Sequence, residues 1–169
     1  MDKARIIVAA LTLSASAFVT LLVSEGYTDK AIIPTKNDRP THGFGSTFNA
    51  DGSAVKLGET TTPVRALITA QAHISKEEKK FRDSLPGVNL YQGEYDLYVD
   101  FTYQFGIGTW RASSMRRNLL AGDYVAACNA LLLYKYSGGY DCSTPGNNRC
   151  AGVWTRQQER NRKCLSMQN

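Results

Sequence analysis

The chain has 169 residues, 43% of them hydrophobic, with a formal net charge of +5 and a pI ≈ 9.1. That length holds one compact domain with a real core plus a targeting segment, and the composition excludes a disordered chain. The positive charge points to an anionic partner; without zinc-finger spacing or a continuous basic arm, nucleic acid is the weakest option, and a lipid surface or an anionic cell wall stays open.

The first element is apolar. Lys3 and Arg5 precede an uncharged run from Ile6 to Ser24 that ends on Glu25. At about 1.5 Å per residue this run just spans a hydrocarbon core of roughly 30 Å. The basic flank predicts a cytoplasmic amino terminus and an exported remainder. Four readings stay open: a cleaved signal peptide, with Ala15-Ser16-Ala17 as a small-x-small site; a permanent anchor; a releasable anchor; and a buried helix of a cytosolic protein. The Ala, Ser and Thr content dilutes the Leu, Ile, Val and Phe, which favours the releasable anchor.

A strand is expected over Tyr27–Ile33, with Pro34 demoting it to an edge. Lys36-Asn37-Asp38-Arg39 is turn chemistry, and Thr41-His42-Gly43-Phe44-Gly45 reads as the return strand. A second turn at Asn49–Ser53 and a short strand at Ala54–Leu57 complete a small β lobe. Gly43 and Gly45 are expected to permit close packing and to bind nothing. Thr61-Thr62-Pro63 then starts a helix, with a hydroxyl cap before a first-turn proline. Val64, Leu67, Ile68, Ile74 and Phe81 mark its predicted buried stripe, interrupted by Gln71 and Glu78. His73 is expected to be a packed or solvated residue, and the charged run Lys76–Lys80 a solvated face. After Pro86-Gly87, a helix over Gly93–Phe105 buries Leu97, Phe101 and Phe105 and stops at Gly106-Ile107-Gly108. Helices follow at about 111–120 and 124–136, with Asp123 as the cap of the second. A loop runs from Gly138 to Gly152, and a basic helix from Val153 to about Met167 ends the chain.

Cys128, Cys142, Cys150 and Cys164 form no CxxC pair and lie far in sequence from His42 and His73, so no metal site is expected. An even count behind an export-competent start reads as two disulfides. Of three connectivities, Cys142–Cys150, closing a turn-rich loop, and Cys128–Cys164, tying two helices, is favoured.

Ser24-Glu25-Gly26-Tyr27, the hairpin Asn37-Asp38-Arg39-Pro40-Thr41-His42-Gly43-Phe44-Gly45, the run Tyr95 to Gly106 and Gly152-Val153-Trp154-Thr155-Arg156-Gln157 together resemble the phage-type lysozymes (endolysins) from about residue 20 onward. With the loose apolar start, the chain is similar to the signal-anchor-release subtype. The resemblance implies an α+β fold, a mostly helical lobe and a small β-hairpin lobe with the active-site cleft between them. Residues 1–24 would be the anchor, part of it doubling as the first helix, and 25–169 the lysozyme domain. It implies hydrolysis of β-1,4 bonds between N-acetylmuramic acid and N-acetylglucosamine by inversion, without a cofactor. Glu25 would be the acid and Thr41 would position water. The assisting Asp usually lies six residues before that Thr, where this chain has Thr35; Asp38 is the nearest carboxylate, with Asn37 or Thr35 as alternative helpers. Ser46 replaces a usual His. Gln104 and Thr155 would touch the substrate. Apolar neighbours, Leu22, Val23 and Tyr27, are expected to keep Glu25 protonated. The implied partners are glycan strands of peptidoglycan and, through the amino-terminal segment, the host inner membrane before the periplasm; a monomer is expected. The competing reading is a non-catalytic, membrane-tethered module that binds peptidoglycan.

Overall fold

A computed structural model describes residues 4–35 and 38–168. Chain contacts divide it into two units, Leu13–Lys80 and a second in which the amino-terminal residues up to Thr12 join Phe81 onward.

In the first unit, helix α1 (Ala15–Glu25) is capped by the Ser14 hydroxyl, which accepts from Ala17 N at 3.2 Å. Leu21 and Leu22 are its buried face. Gly26, with φ 72°, turns the chain into β2 (Thr28–Ile32), which pairs antiparallel with β3 (Thr41–Gly43) in the register Thr28↔Gly43 and Ile32↔Thr41. The expected strand at 54–57 is reduced to a single bridge, Phe48↔Ala54. Helix α2 (Pro63–Asp83) starts where expected, with Thr62 Oγ1 accepting from Arg65 N. Its buried face differs from the predicted stripe. Ala66, Ala70, Ile74, Glu78 and Phe81 are buried, while Val64, Leu67 and Ile68 are exposed. Small alanines carry the contact because β3 approaches closely: a Cβ built on Gly43 would lie 2.8 Å from Ala66 Cβ. Glu78 does not interrupt the face; its carboxylate accepts the Leu13 N–H at 2.7 Å ahead of α1.

In the second unit, β1 (Ile6–Ile7) pairs with β4 (Asn89–Leu90), and one 3₁₀ turn over Val8–Ala10 follows. Residues 6–24 are therefore a strand, a 3₁₀ turn and part of α1, not one continuous helix. No helix among the described residues is long and apolar enough to cross a membrane. Helix α3 (Gln92–Ala112) does not stop at the glycines. Gly106 adopts φ 83° and breaks it, and helix resumes to Ala112 because Trp110 is driven into the core. That core is aromatic: Phe81 and Trp110 ring centroids are 4.8 Å apart, Tyr98 and Trp110 5.4 Å, and Trp110 Nε1 donates to Ser84 Oγ at 2.8 Å. Each such ring stabilises the unit by about 1.5–3 kcal/mol relative to exposure. Helices α4 (Ser114–Leu120) and α5 (Tyr124–Ala130) follow, Asp123 capping α5 as expected. The expected tail of α5 tightens into a 3₁₀ turn over Leu131–Leu133. The predicted loop contains the hairpin β5 (Tyr136–Ser137) and β6 (Tyr140–Asp141), and α6 (Ala151–Ser166) closes the unit. Both favoured disulfides are present, Cys128–Cys164 and Cys142–Cys150.

Candidate active site

Three of the candidate residues lie in the first unit. Glu25 is the last residue of α1, and it is exposed. The apolar wall expected around it is not built by its own unit: Val23 is 76% exposed, Tyr27 is also exposed, and Leu22 is buried. Helix geometry explains the exposure of Val23, since Leu21 and Leu22 take the inward stripe and leave Val23 on the other side; Glu25, four residues beyond Leu21, lies on the stripe's side and is exposed at the helix end. Instead the carboxyl faces a glycine turn. A Cβ built on Gly45, where φ is 73°, would stand 3.5 Å from Glu25 Oε2. Gly43 and Gly45 thus serve close approach, to α2 and to this carboxyl respectively. Thr41 opens the same turn and is nearly buried, and its hydroxyl has no partner among the described residues.

Asp38 is exposed. Its Oδ1 accepts from Arg39 N at 2.8 Å and its Oδ2 from Thr35 Oγ1 at 3.3 Å, while its own N–H donates to Thr35 O at 3.0 Å. Two of the three candidates for the assisting position are therefore bonded to each other, Thr35 orienting Asp38. Asn37 lies outside the described residues. Ser46, which stands where a His is usual, spends its hydroxyl locally on Phe48 O at 2.6 Å and Phe48 N at 3.3 Å.

Gln104 and Thr155 lie in the second unit. Arg160 Nη1 donates to Gln104 Oε1 at 2.7 Å, and the same guanidinium grips Asp100 Oδ2 through Nε at 2.9 Å and Nη2 at 2.5 Å. Arg160 is buried, so this network fixes the Gln104 amide firmly. Thr155 is exposed and donates to Ala151 O in its own helix at 3.1 Å.

Two features escaped the sequence reading. His42, read only as part of the return strand and as too far from the cysteines for a metal site, is 4% exposed and bonds through Nε2 to Asn49 Oδ1 at 3.0 Å; Asn49 Nδ2 in turn donates to Glu59 Oε2 at 3.1 Å. The backbone of His42 also exchanges both hydrogen bonds with Ser46, closing the Gly43–Gly45 turn. Arg5, read only as a basic flank, forks onto Glu94 with Nε and Nη2 at 3.1 Å each. The separation of the partners in sequence hid both. No group of residues among those described is arranged to hold a metal.

An acid at the end of the first helix, set against a glycine turn that follows a threonine, on a helical scaffold with small hairpins, defines a lysozyme-like α+β fold. The chain superposes on a P22 lysozyme point mutant with TM-score 0.73 at 26% identity, covering 92% of this chain and 99% of that one. It superposes on the endolysin of Escherichia coli O157:H7 phage FAHEc1 with TM-score 0.75 at 23% identity, over 92% and 94%. In sequence it is similar to the endolysin of Salmonella phage P22, 29% identical over 132 residues, 76% of this chain and 86% of the relative. The Phage lysozyme family matches residues 23–160, and the chain belongs to that family. It is accordingly a glycoside hydrolase of the muramidase type, directed at peptidoglycan.

Proposed function

We propose that the protein is an endolysin that cleaves the β-1,4 bond between N-acetylmuramic acid and N-acetylglucosamine, with Glu25 as proton donor, Asp38 as assisting carboxylate and Thr41 as the holder of the attacking water. Cleavage needs a proton on the leaving oxygen and a nucleophile at the anomeric carbon. Glu25 stands at the carboxyl end of α1. Thr41, which opens the turn that carries Gly45, offers a hydroxyl with no partner among the described residues, and Thr35 holds the Asp38 carboxylate in one orientation. A water placed between acid and base gives inversion; such pairs stand about 6.5–9.5 Å apart. Gln104, held by Arg160, and Thr155 contact the glycan. The observation that carries this reading is the close approach of Glu25 to the backbone of the Thr41–Gly45 turn.

Purified protein should clear a peptidoglycan suspension, and Glu25→Gln should lower the rate by about 10²–10⁴-fold. A binding module would behave alike in both forms. Proton NMR of the first-formed anomer separates inversion from retention, and reducing N-acetylmuramic acid ends distinguish hydrolysis from anhydro-forming cleavage.

The amino-terminal segment supports export in an inactive state. Residues 17–24 belong to α1 here, yet the run Ile6–Ser24 has the length of a membrane span. While that run lies in the bilayer of the host inner membrane, α1 cannot present Glu25 to substrate; release lets the helix form in the periplasm. The run has no cysteine, so no thiol exchange at the anchor is involved. Ser14 caps α1, so tighter anchoring is tested at exposed Ser16 and Thr20 instead. Ser16→Leu with Thr20→Leu should delay lysis and retain protein in the membrane fraction; unchanged timing and partition would end this reading.

A further inference from the structure

Side chains alternate across a strand, so His42 leaves β3 on the face opposite Thr41. There it lines a cavity of about 330 Å³ together with Asn49, Asp51, Thr61, Arg65 and Ile68. The hydrogen-bond chain fixes the roles of its wall. Glu59 only accepts, so Asn49 turns its NH₂ to Glu59 and its oxygen to His42; that oxygen also only accepts, so His42 Nε2 carries the hydrogen. His42 Nδ1 is left as a buried acceptor without a partner among the described residues.

The rest of the lining carries opposite charges. Arg65 has no partner for its guanidinium among the described residues, while Asp51 Oδ1 is taken by Ser53 N at 2.9 Å and Ser53 Oγ at 2.6 Å, leaving Oδ2 unused. Those donors from Ser53 hold the Asp51 carboxyl below its usual range, so it is anionic wherever the enzyme works. The amino end of α2 adds positive potential on the Arg65 wall. An apolar patch, Ile68 with Ala50, lies between polar groups. A site of this size with one free guanidinium, one free carboxylate oxygen and threonine hydroxyls suits a small group bearing both a carboxylate and an ammonium.

We propose that this cavity binds the zwitterionic end of a peptidoglycan stem peptide, the carboxylate on Arg65 and the ammonium on Asp51, and so anchors the wall polymer away from the bond being cut. The inference rests on peptidoglycan as substrate, and not on the roles of Glu25, Asp38 or Thr41. In such a site the peptide fixes the register of its glycan strand, so it acts through KM.

The probe is the tripeptide L-alanyl-γ-D-glutamyl-meso-diaminopimelate, added to the full 169-residue protein and followed by amide NMR shifts. The control replaces diaminopimelate with lysine, which lacks the distal carboxylate. Shifts should appear at Asp51, Thr61 and Arg65, with affinity at least tenfold weaker for the control, for Arg65→Gln and for Asp51→Asn; a charge-assisted hydrogen bond of about 1.5–3 kcal/mol sets that factor. Arg65→Gln should raise KM about tenfold on peptide-bearing peptidoglycan and leave kcat and KM unchanged on glycan strands stripped of peptide. Glu25→Gln should bind the tripeptide normally, so a failure of the catalytic assignment leaves this readout intact. Absence of shifts, equal binding of the lysine control, or an equal effect of Arg65→Gln on stripped and peptide-bearing glycan would each overturn the proposal.

Discussion

Replacing Arg5 with alanine breaks the contact that ties the amino-terminal segment into the second unit. Arg5 forks onto Glu94, also reaches Gln168 Oε1 at 2.5 Å, and lies with its guanidinium carbon 4.4 Å from the Tyr91 ring centroid and 3.7 Å from that of Tyr124. The Glu94 side chain is 1% exposed and that of Arg5 24%. Removing one partner of a fully buried pair costs about 3–5 kcal/mol, because the other charge is stranded. Here Arg5 is partly solvated, and Glu94 keeps the Tyr91 N–H at 2.8 Å and Gln168 Nε2 at 2.7 Å, which lowers the cost. The lost cation–π contacts add about 0.5–1 kcal/mol each. A destabilisation of about 3 kcal/mol follows, or a fall of about 6–12 °C in Tm for a chain of this size. Urea denaturation of Arg5→Ala, Glu94→Gln and the double variant reads it directly. The cycle should return a coupling above about 1 kcal/mol that survives added salt. A cost below about 0.5 kcal/mol, the range of an exposed pair, would refute the argument.

Gly43→Ala should destabilise by about 2–4 kcal/mol in the same assay, since its φ of 61° and the 2.8 Å approach to Ala66 Cβ leave no room for a methyl group. Removing Cys128–Cys164, with a sequence separation of 36, should cost about 4 kcal/mol, against about 2.5 kcal/mol for Cys142–Cys150 with a separation of 8; equal costs would contradict a loop-entropy origin. The Lys135 ammonium, with Ser143, holds the Asp141 carboxyl at about 2. A lowered folded-state value stabilises above the unfolded range and fades as pH falls through about 2, so the β5–β6 hairpin should loosen only below about pH 4. Carbon-13 titration should place the midpoint near 2 and move it upward in Lys135→Met.

Features set by neighbouring residues were legible in the sequence. Glu25 closing an apolar helix, Thr62 and Asp123 as caps and Pro63 at a helix start depend on residues within one turn. The cysteine spacing likewise led to the pairing observed. The candidate site was legible as residue types in order, because the Thr41–Gly45 turn carries its own conformational demand in two glycines at positive φ. What needed the tertiary structure was every choice among distant partners. An uncharged run from Ile6 to Ser24 is equally a membrane span or, as here, a strand paired with Asn89–Leu90 followed by a helix. Periodicity favoured Val64, Leu67 and Ile68 as the inner face of α2, but the buried residues there are Ala66 and Ala70, and at Ala66 the closeness of Gly43 in β3 leaves no room for a larger side chain. Gly106 reads as a stop, yet burial of Trp110 outweighs the local preference and restarts the helix. Arg5 with Glu94, and His42 with Asn49 and Glu59, are joined by packing alone: hydrophobic pattern and propensity act along the chain, while the partner of a buried charge or ring nitrogen is settled only when the chain closes on itself.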